Sequence, residues 1–452
     1  MKHISLVLSL LILALGRPGF SAAEADIVQT LTMKEAIGMA LENNHHLKAA
    51  GLNARSSGYV VDVATSRYYP NLFLEESFGV SNSPTQTFMM KLDQGRFSQD
   101  DFQINNLNHP GTWRNFKTAL TLTQSLFDPA TAPARDMAKQ DANKAQAGFE
   151  GAQQDMALHI FVLHLDAIRV SAQVKSLEQA MADAVENVRL AGLREREGIG
   201  LKSDLLRADT HLATVEQQQL TARNNLTLTR MRMALALGAG EGSQIDVAGP
   251  GISLAPDCSH GELYRVALQE RPDLRRLRAD RDKGAAALRL ASGAYLPTLD
   301  AFGSYQFNSK EYPFGSDNDS WVTGVSLKWQ LFDGFRRNSE RKRALAGRTA
   351  AEEELSAKTG EINLQIRENC LRRDEAVKQR EVARRALLAA EEAVRLLARR
   401  YENSLATMLD LLDAQTALNQ SRSRLVDAEA EYSFSGACAY HAAGTFLKEI
   451  MK

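Results

Sequence analysis

The chain has 452 residues, with 54 Lys and Arg against 55 Asp and Glu and a formal net charge of −1. That balance argues against a nucleic-acid partner, which would call for a basic surface. The cysteines are odd in number and far apart, at Cys258, Cys370 and Cys438. This speaks against a disulfide framework and for structural thiols.

Lys2 and His3 precede an apolar run from Ile4 to Leu15, then a Pro-Gly break and the small residues Ser21, Ala22 and Ala23. This is the pattern of a secretory signal peptide over residues 1–23, cleaved after Ala23, so the mature chain is expected to leave the cytoplasm. No other stretch reads as approaching the roughly 18–20 apolar residues of a membrane helix. No Cys stands after the cleavage point to accept a lipid. The expected segments are a first repeat over 24–237, a connector over 238–257, a second repeat over 258–443 and a C-terminal tail over 444–452.

Residues 32–68 read as a leading helix, ended by Pro70. Residues 71–81 and 116–127 alternate as strands, joined by a polar, Gly/Pro/Asn-rich loop over 82–111. In the second strand Phe116, Leu120, Leu122 and Leu126 oppose Lys117, Thr121, Thr123 and Ser125. Asp128 and Pro129 then signal a helix start, a capping carboxylate followed by a Pro suited to the first turn. From Thr131 to Glu197 there is no Pro after Pro133. One unbroken helix of that length would reach roughly 100 Å at about 1.5 Å per residue. After a turn, residues 203–237 return as a helix in which Leu205, Leu212, Gln219, Leu226 and Met233 are spaced by seven. So are Ala208, Val215, Ala222, Thr229 and Ala236, a nearly all-small second seam. A strict seven-residue period marks a coiled-coil seam, and small residues let helices approach closely.

The second half repeats this order. Glu35, Ala40, Leu41, Leu47 and Pro70 recur 227 positions later as Glu262, Ala267, Leu268, Leu274 and Pro297. Leu126, Phe127 and Asp128 recur 205 positions later as Leu331, Phe332 and Asp333. Asp204, Leu205, Ala208 and Leu212 are answered by Asp410, Leu411, Ala414 and Leu418. The second copy has a leading helix over 260–295, strands over 298–307 and 321–332, a loop over 308–320, a long helix over 335–403 and a returning helix over 409–443. In its last strand Trp321, Thr323, Val325, Leu327, Trp329 and Leu331 oppose Val322, Gly324, Ser326, Lys328 and Gln330. The charge-rich stretches 271–283 and 336–343 mix both signs and read as solvated helix faces. A repeat far longer than a solenoid unit implies a duplicated, pseudo-symmetric chain.

The four strands have the weak signature of outer-membrane barrel strands, with an apolar outside, a polar lumen and long loops on one side. A soluble hairpin packed on helices would give the same alternation; the loops favour the barrel. Four strands cannot close a barrel, and open edges are not tolerated in lipid. The chain must then oligomerise, and twelve strands from three copies would close a ring around water.

The strand-to-helix junctions Gln124-Ser125-Leu126-Phe127-Asp128 and Gln330-Leu331-Phe332-Asp333-Gly334, and the turns from Gly198 to Ala208 and from Tyr401 to Gln415, carry a resemblance to the TolC-type outer-membrane efflux proteins over essentially the whole mature chain. The resemblance implies a mainly α fold with a membrane β-barrel: a homotrimeric twelve-stranded barrel in outer-membrane lipid, continued by an α-helical periplasmic barrel. It implies an exporting channel-tunnel, with a periplasmic adaptor and an inner-membrane pump of RND or ABC type as partners, in a tripartite efflux or type I secretion system. It places Gly198, Ile199, Ser203 and Asp204 at the adaptor-contacting tips, and Asp410 and Asp413 in an acidic ring at the periplasmic entrance. Family members often carry an Arg just before that Asp pair, latching neighbouring helices; here Ala406 stands there.

Bottom-up, Asp410 and Asp413 are three apart and share a helix face. Three-fold symmetry would gather their carboxylates around one axis, attracting cations and raising carboxylate pKa values by repulsion. The plainer alternative is two Asp residues favouring a helix dipole. No catalytic, cofactor or metal arrangement emerges. Gly238 to Gly242 follows a helix and lacks the Lys of a phosphate loop. His45 with His46, and His159 with His164, lack a ligand spacing on one helical face. The alternative function is a structural or adhesive envelope protein bridging outer membrane and periplasm. The exported cargo is not written in the chain.

Overall fold

The computed structural model describes residues 29–240, 243, 245–247 and 258–452. The expected signal peptide and most of the expected connector lie outside the described residues. In chain order the elements are β1 (Gln29–Leu31), α1 (Met33–Asn43), α2 (His45–Thr65), β2 (Asn71–Ser81), α3 (Pro84–Asp93), α4 (Ile104–Asn108), β3 (Trp113–Phe127), α5 (Thr131–Arg196) and α6 (Lys202–Leu237). There follow β4 (Ile245–Val247), α7 (His260–Glu270), α8 (Pro272–Gly293), β5 (Thr298–Ser309), β6 (Asn318–Lys328), α9 (Arg336–Glu402), α10 (Met408–Ala442) and α11 (Phe446–Ile450). The long helices α5 and α9 have 66 and 67 residues. Among the described residues, each of two compact units takes pieces from both repeats: one holds those within 29–48, 153–263 and 366–452, the other Ala49–Ala152 and Tyr264–Gln365.

The first unit is helical, with a small parallel pair of β1 and β4 that sequence patterning did not signal. Its core joins Ile37, Ile160, Phe161, Met233, Leu237, Ile245, Phe446 and Ile450, with the rings of Phe161 and Phe446 edge-on at 5.6 Å. The stretch read as a C-terminal tail therefore folds, and α11 places Phe446 and Ile450 in that core. α5 does contain an 18-residue window long and apolar enough to cross a membrane by length and composition, against the expectation that none exists. Its Ile160, Phe161, Leu163 and Leu165 are buried in this core instead. The small-residue seam of α6 holds, with Ala208, Val215, Ala222, Thr229 and Ala236 all buried, and a matching seven-residue set in α10, Ala414, Ser421, Ala428, Ser435 and Ala442, is buried too.

The expected continuous leading helices are broken. Asn44 between α1 and α2, and Arg271 between α7 and α8, both leave helical geometry at ψ near 120°. Pro272 accounts for the second break, because a residue before Pro is pushed out of the α region. Asn44 has no such cause nearby. Its side chain accepts from Leu47 N (3.1 Å) and donates to Ala236 O (2.9 Å). Beside it Gly238 ends α6 at φ +70°, where an added Cβ would meet Asn43 O at 2.6 Å, so only glycine fits.

The second unit carries one antiparallel sheet of order β2-β3-β5-β6. β3 starts earlier than expected, and β6 runs only from Asn318 to Lys328 instead of reaching Phe332. Lys328 pairs with Thr298, the first residue of β5, so nothing remains for later residues to pair with. A bulge between Ser125 and Phe127 sets Phe127 opposite Leu299. The first loop is not irregular throughout: it folds α3 and α4, and Gln94 bridges Trp113, Arg114 and Asn115. Asn115 in turn donates to Asn308, and Arg96 pairs with Asp317 of the second loop.

Two arginines expected on solvated faces are instead buried or nearly so. Arg337 is 7 % exposed. It donates to Asp333 Oδ2 at 2.9 Å, Gln330 O at 2.7 Å and Leu331 O at 3.2 Å, and sits over the Tyr295 ring. It gathers carbonyls that the sheet has just ceased to pair. Arg271 grips Asp273 with two nitrogens, at 2.9 and 2.7 Å. By contrast Lys144–Asp280, Lys283–Asp141 and Arg289–Asp136 tie α8 to the start of α5 as surface pairs, each worth about 0–1 kcal/mol.

Candidate functional site: an open-edged sheet and paired tips

Register alone sorts the sheet into two faces. Leu74, Leu120, Tyr305 and Trp321 stand in one cross-strand row, and Leu72, Leu122, Gly303 and Thr323 in the next. On the opposite face Glu75, Ala119, Gln306 and Ser320 form one row, and Phe73, Thr121, Ser304 and Val322 another. Thr121 and Ser304 hydroxyls meet at 3.1 Å. The apolar face is uncovered, with Leu74 at 66 % and Trp321 at 71 % exposure. β2 and β6 are both edges, so their outer N–H and C=O groups lack a ladder. A sheet apolar on one face, polar on the other and open on both sides is built for lipid and for more strands.

The first unit ends in two tips. α5 and α6 meet through residues 197–201, and α9 and α10 through residues 403–407. The tips share a small core of Ala191, Ala208, Tyr401, Met408, Leu411 and Leu412, with Ala406 packed against it. Of the residues expected to contact an adaptor, Gly198 turns the chain at φ +74°. Ile199 and Ser203 are exposed, and Asp204 is half-buried. Apolar groups crowd the ends: Ile199 and Leu201 are each 67 % exposed and Leu405 is 68 % exposed. Leu201 and Leu405 escaped the sequence reading, although each is an apolar residue inside a turn.

The expected acidic pair sits at the start of α10, and both side chains are exposed. Asp410 is the third residue of a reciprocal cap. Thr407 donates to Asp410 Oδ2 from its hydroxyl (2.7 Å) and its backbone nitrogen (2.9 Å), and Asp410 N donates back to the hydroxyl at 3.2 Å. These bonds hold the Asp410 carboxyl below its usual value of 3.8, the direction a capping carboxylate takes. Asp413 lies one turn further along the same face.

Arg194 joins the tips. It donates to Tyr401 O at 2.7 Å and to the Ser404 hydroxyl, and its guanidinium lies 4.7 Å from the Tyr401 ring centroid. An arginine bridge thus exists despite Ala406, supplied by the first repeat rather than the second. No local signal marked it, since Arg194 is one of several arginines at a helix end.

A family model described as outer membrane efflux protein matches residues 36–239 and 263–437. The chain belongs to that family. Among similar proteins, the outer membrane protein TolC of Escherichia coli is 22% identical over 347 residues, covering 73% of this chain and 70% of the relative. The solved structure of VceC from Vibrio cholerae has a TM-score of 0.75 at 19% identity, covering 91% of this chain and 96% of the other. The CmeC outer membrane channel of Campylobacter jejuni has a TM-score of 0.77 at 15% identity, covering 93% and 89%; at such identities these two speak for the fold. As an outer membrane efflux protein, the chain is an export channel of tripartite systems, set in the outer membrane and extending into the periplasm. Members of the family act as trimeric channels, and its relatives are channel proteins.

Proposed function

We propose that three copies of this chain join β2 of one to β6 of the next, closing a twelve-stranded barrel with its polar face around water. The observation that carries this is the sheet itself, with two open edges and an uncovered apolar face. Closure would satisfy both edges at once, as a hydrocarbon surrounding demands. The channel is a passive duct. A periplasmic adaptor grips the tips at Gly198, Ile199, Ser203 and Asp204, where the exposed Ile199, Leu201 and Leu405 offer apolar contact. An inner-membrane pump of RND or ABC type selects the cargo and supplies the energy.

Asp410 and Asp413 then line the periplasmic entrance as an acidic ring. Repulsion between copies would oppose the lowering that Thr407 exerts on Asp410. In planar bilayers, Asp410→Ala combined with Asp413→Ala is expected to conduct more freely and to lose block by divalent cations. Unchanged conductance and block would remove the ring. Light scattering of the detergent-solubilised protein tests the assembly separately: three chains are expected, and a lone chain in solution ends the barrel proposal.

A further inference from the structure

We propose that α3 lies inside the outer mouth of the channel and sets which cargo can leave, as an exit constriction. The inference rests on the closed barrel proposed above. The loop joining β2 to β3 does not stand clear of the sheet. Its helix α3 lies across the polar face and reaches all four strands, three directly and β5 through one side chain. At β2, an added Cβ on Gly79 would meet Met90 Cε at 3.3 Å, so Met90 fills the space over that glycine. Thr87 donates to Ser81 O at 3.1 Å. At β3, Gln94 donates to Asn115 Oδ1 and Arg114 O, both at 2.8 Å, and accepts from Trp113 Nε1 at 2.9 Å. Asn115 carries the chain of bonds to β5, donating to Asn308 Oδ1 at 2.8 Å. At β6, Asn318 donates to Asp93 O at 3.1 Å.

The parity of the register says which face this is. Gly79, Asn115, Asn308 and Asn318 share the face of Glu75, Ala119, Gln306 and Ser320, the one turned to the lumen. Thr87, Gln94, Asn115 and Asn308 are all buried. Polar side chains on a bare lumen wall would meet water; these meet one another beneath α3, as buried polar groups must. Further contacts hold both loops together: Arg96 pairs with Asp317 at 3.2 Å, and Lys310 Nζ lies 3.7 Å from the Trp113 ring centroid.

The clamp sits where Ser81 pairs with Trp113, at the end of the sheet remote from α2 and α5. That is the outer end of the barrel. Three copies would lay three α3 helices inside its mouth, and a helix with its side chains is roughly 10 Å across. Thr85, Met89 and Leu92 are exposed. By helical spacing they lie opposite the wall-facing Thr87, Met90 and Gln94, and so face the axis. The exit is therefore lined partly by apolar groups, among them a methionine able to adapt to what passes. It admits small or slender cargo and holds back bulky, compact molecules.

The test places a reporter thiol below the clamp with Ser326→Cys, an exposed position on the polar face of β6. Intact cells carrying the full-length protein are labelled from outside, and the introduced thiol is read by peptide mass spectrometry. A small membrane-impermeant maleimide is expected to label it, and the same maleimide on a bulky branched polyethylene glycol to label it severalfold more slowly. Replacing residues 82–112 with Asn-Gly, a two-residue turn suited to the paired strand ends, should abolish that gap. Gln94→Ala keeps the loop, removes the central clamp and should narrow the gap. Equal labelling by both reagents with the loop intact overturns the constriction and leaves the barrel standing. A gap that survives the loop replacement, or that Gln94→Ala leaves unchanged, also overturns it. Failure of the small reagent to label at all removes the water-filled lumen itself.

Discussion

At the first tip the chain turns through Gly198 at φ +74°, and α6 begins after Leu201 with no side-chain cap. At the second it turns through Ser404 at φ +60°, and α10 begins after Thr407 with a reciprocal cap to Asp410. The two left-handed positions are 206 residues apart, the spacing that also relates Asp204 to Asp410. Duplication has preserved the turn while the bonds that hold it diverged. The first tip relies on a glycine that meets no strain. The second accepts a left-handed serine, and its hydroxyl receives the bond from Arg194. The tips are therefore unequal: one is a bare turn, the other a capped turn that also receives the bridge.

Arg194→Ala should disturb this arrangement most. It removes two charge-assisted hydrogen bonds and a cation–π contact, costing roughly 2–3 kcal/mol of local stability. Hydrogen exchange should quicken at both tips, at residues 197–204 and 398–407. Quickening at one tip alone would mean that Arg194 does not join them.

Thr407→Ala should cost about 1 kcal/mol and act on the second tip only, since it deletes a helix cap that the first tip lacks. Acid should imitate it. Asp410 is held below 3.8 in the folded chain, so its contribution is present above the unfolded value and is lost as pH falls through the folded one. As pH falls below 3.8, exchange should rise at the start of α10 more than at the start of α6. An equal rise at both would refute the asymmetry.

Gly198→Ala should cost about 1 kcal/mol, because a side chain must enter left-handed geometry. The mirror change, Ser404→Gly, should move stability least. It relieves the same strain but loses the hydroxyl that Arg194 reaches, leaving a net change within about 0.5 kcal/mol. Exchange at each turn measures both. A large loss from Ser404→Gly would show the hydroxyl bond to outweigh the strain.

Much of this molecule is written as local rhythm. The seven-residue seams of α6 and α10, the alternation of β2 and β5, and the capping carboxylates Asp128 and Asp333 each declare themselves within a few turns of chain. The repeat paired the two turns and set Asp410 against Asp204, whereas Asp413 answers Arg207 and was singled out by the resemblance. Arg337 and Arg271 misled for a physical reason: an arginine in a charged stretch looks the same whether it meets water or a set of orphan carbonyls. The end of β6 at Lys328 was equally hidden, because a strand stops where its partner stops, whatever its own alternation.

Periodicity and duplication, read from the residues in order, were enough to specify long helices, four half-apolar strands and a chain unable to cover its own sheet. Side-chain spacing sets which face of an element is apolar, and that information is local. Folding alone brought Asn44 to the end of α6 and Arg194 to the opposite turn. Those contacts join groups 192 and 210 positions apart, and no periodic signal spans such distances. They exist because packed helices place particular atoms together in space.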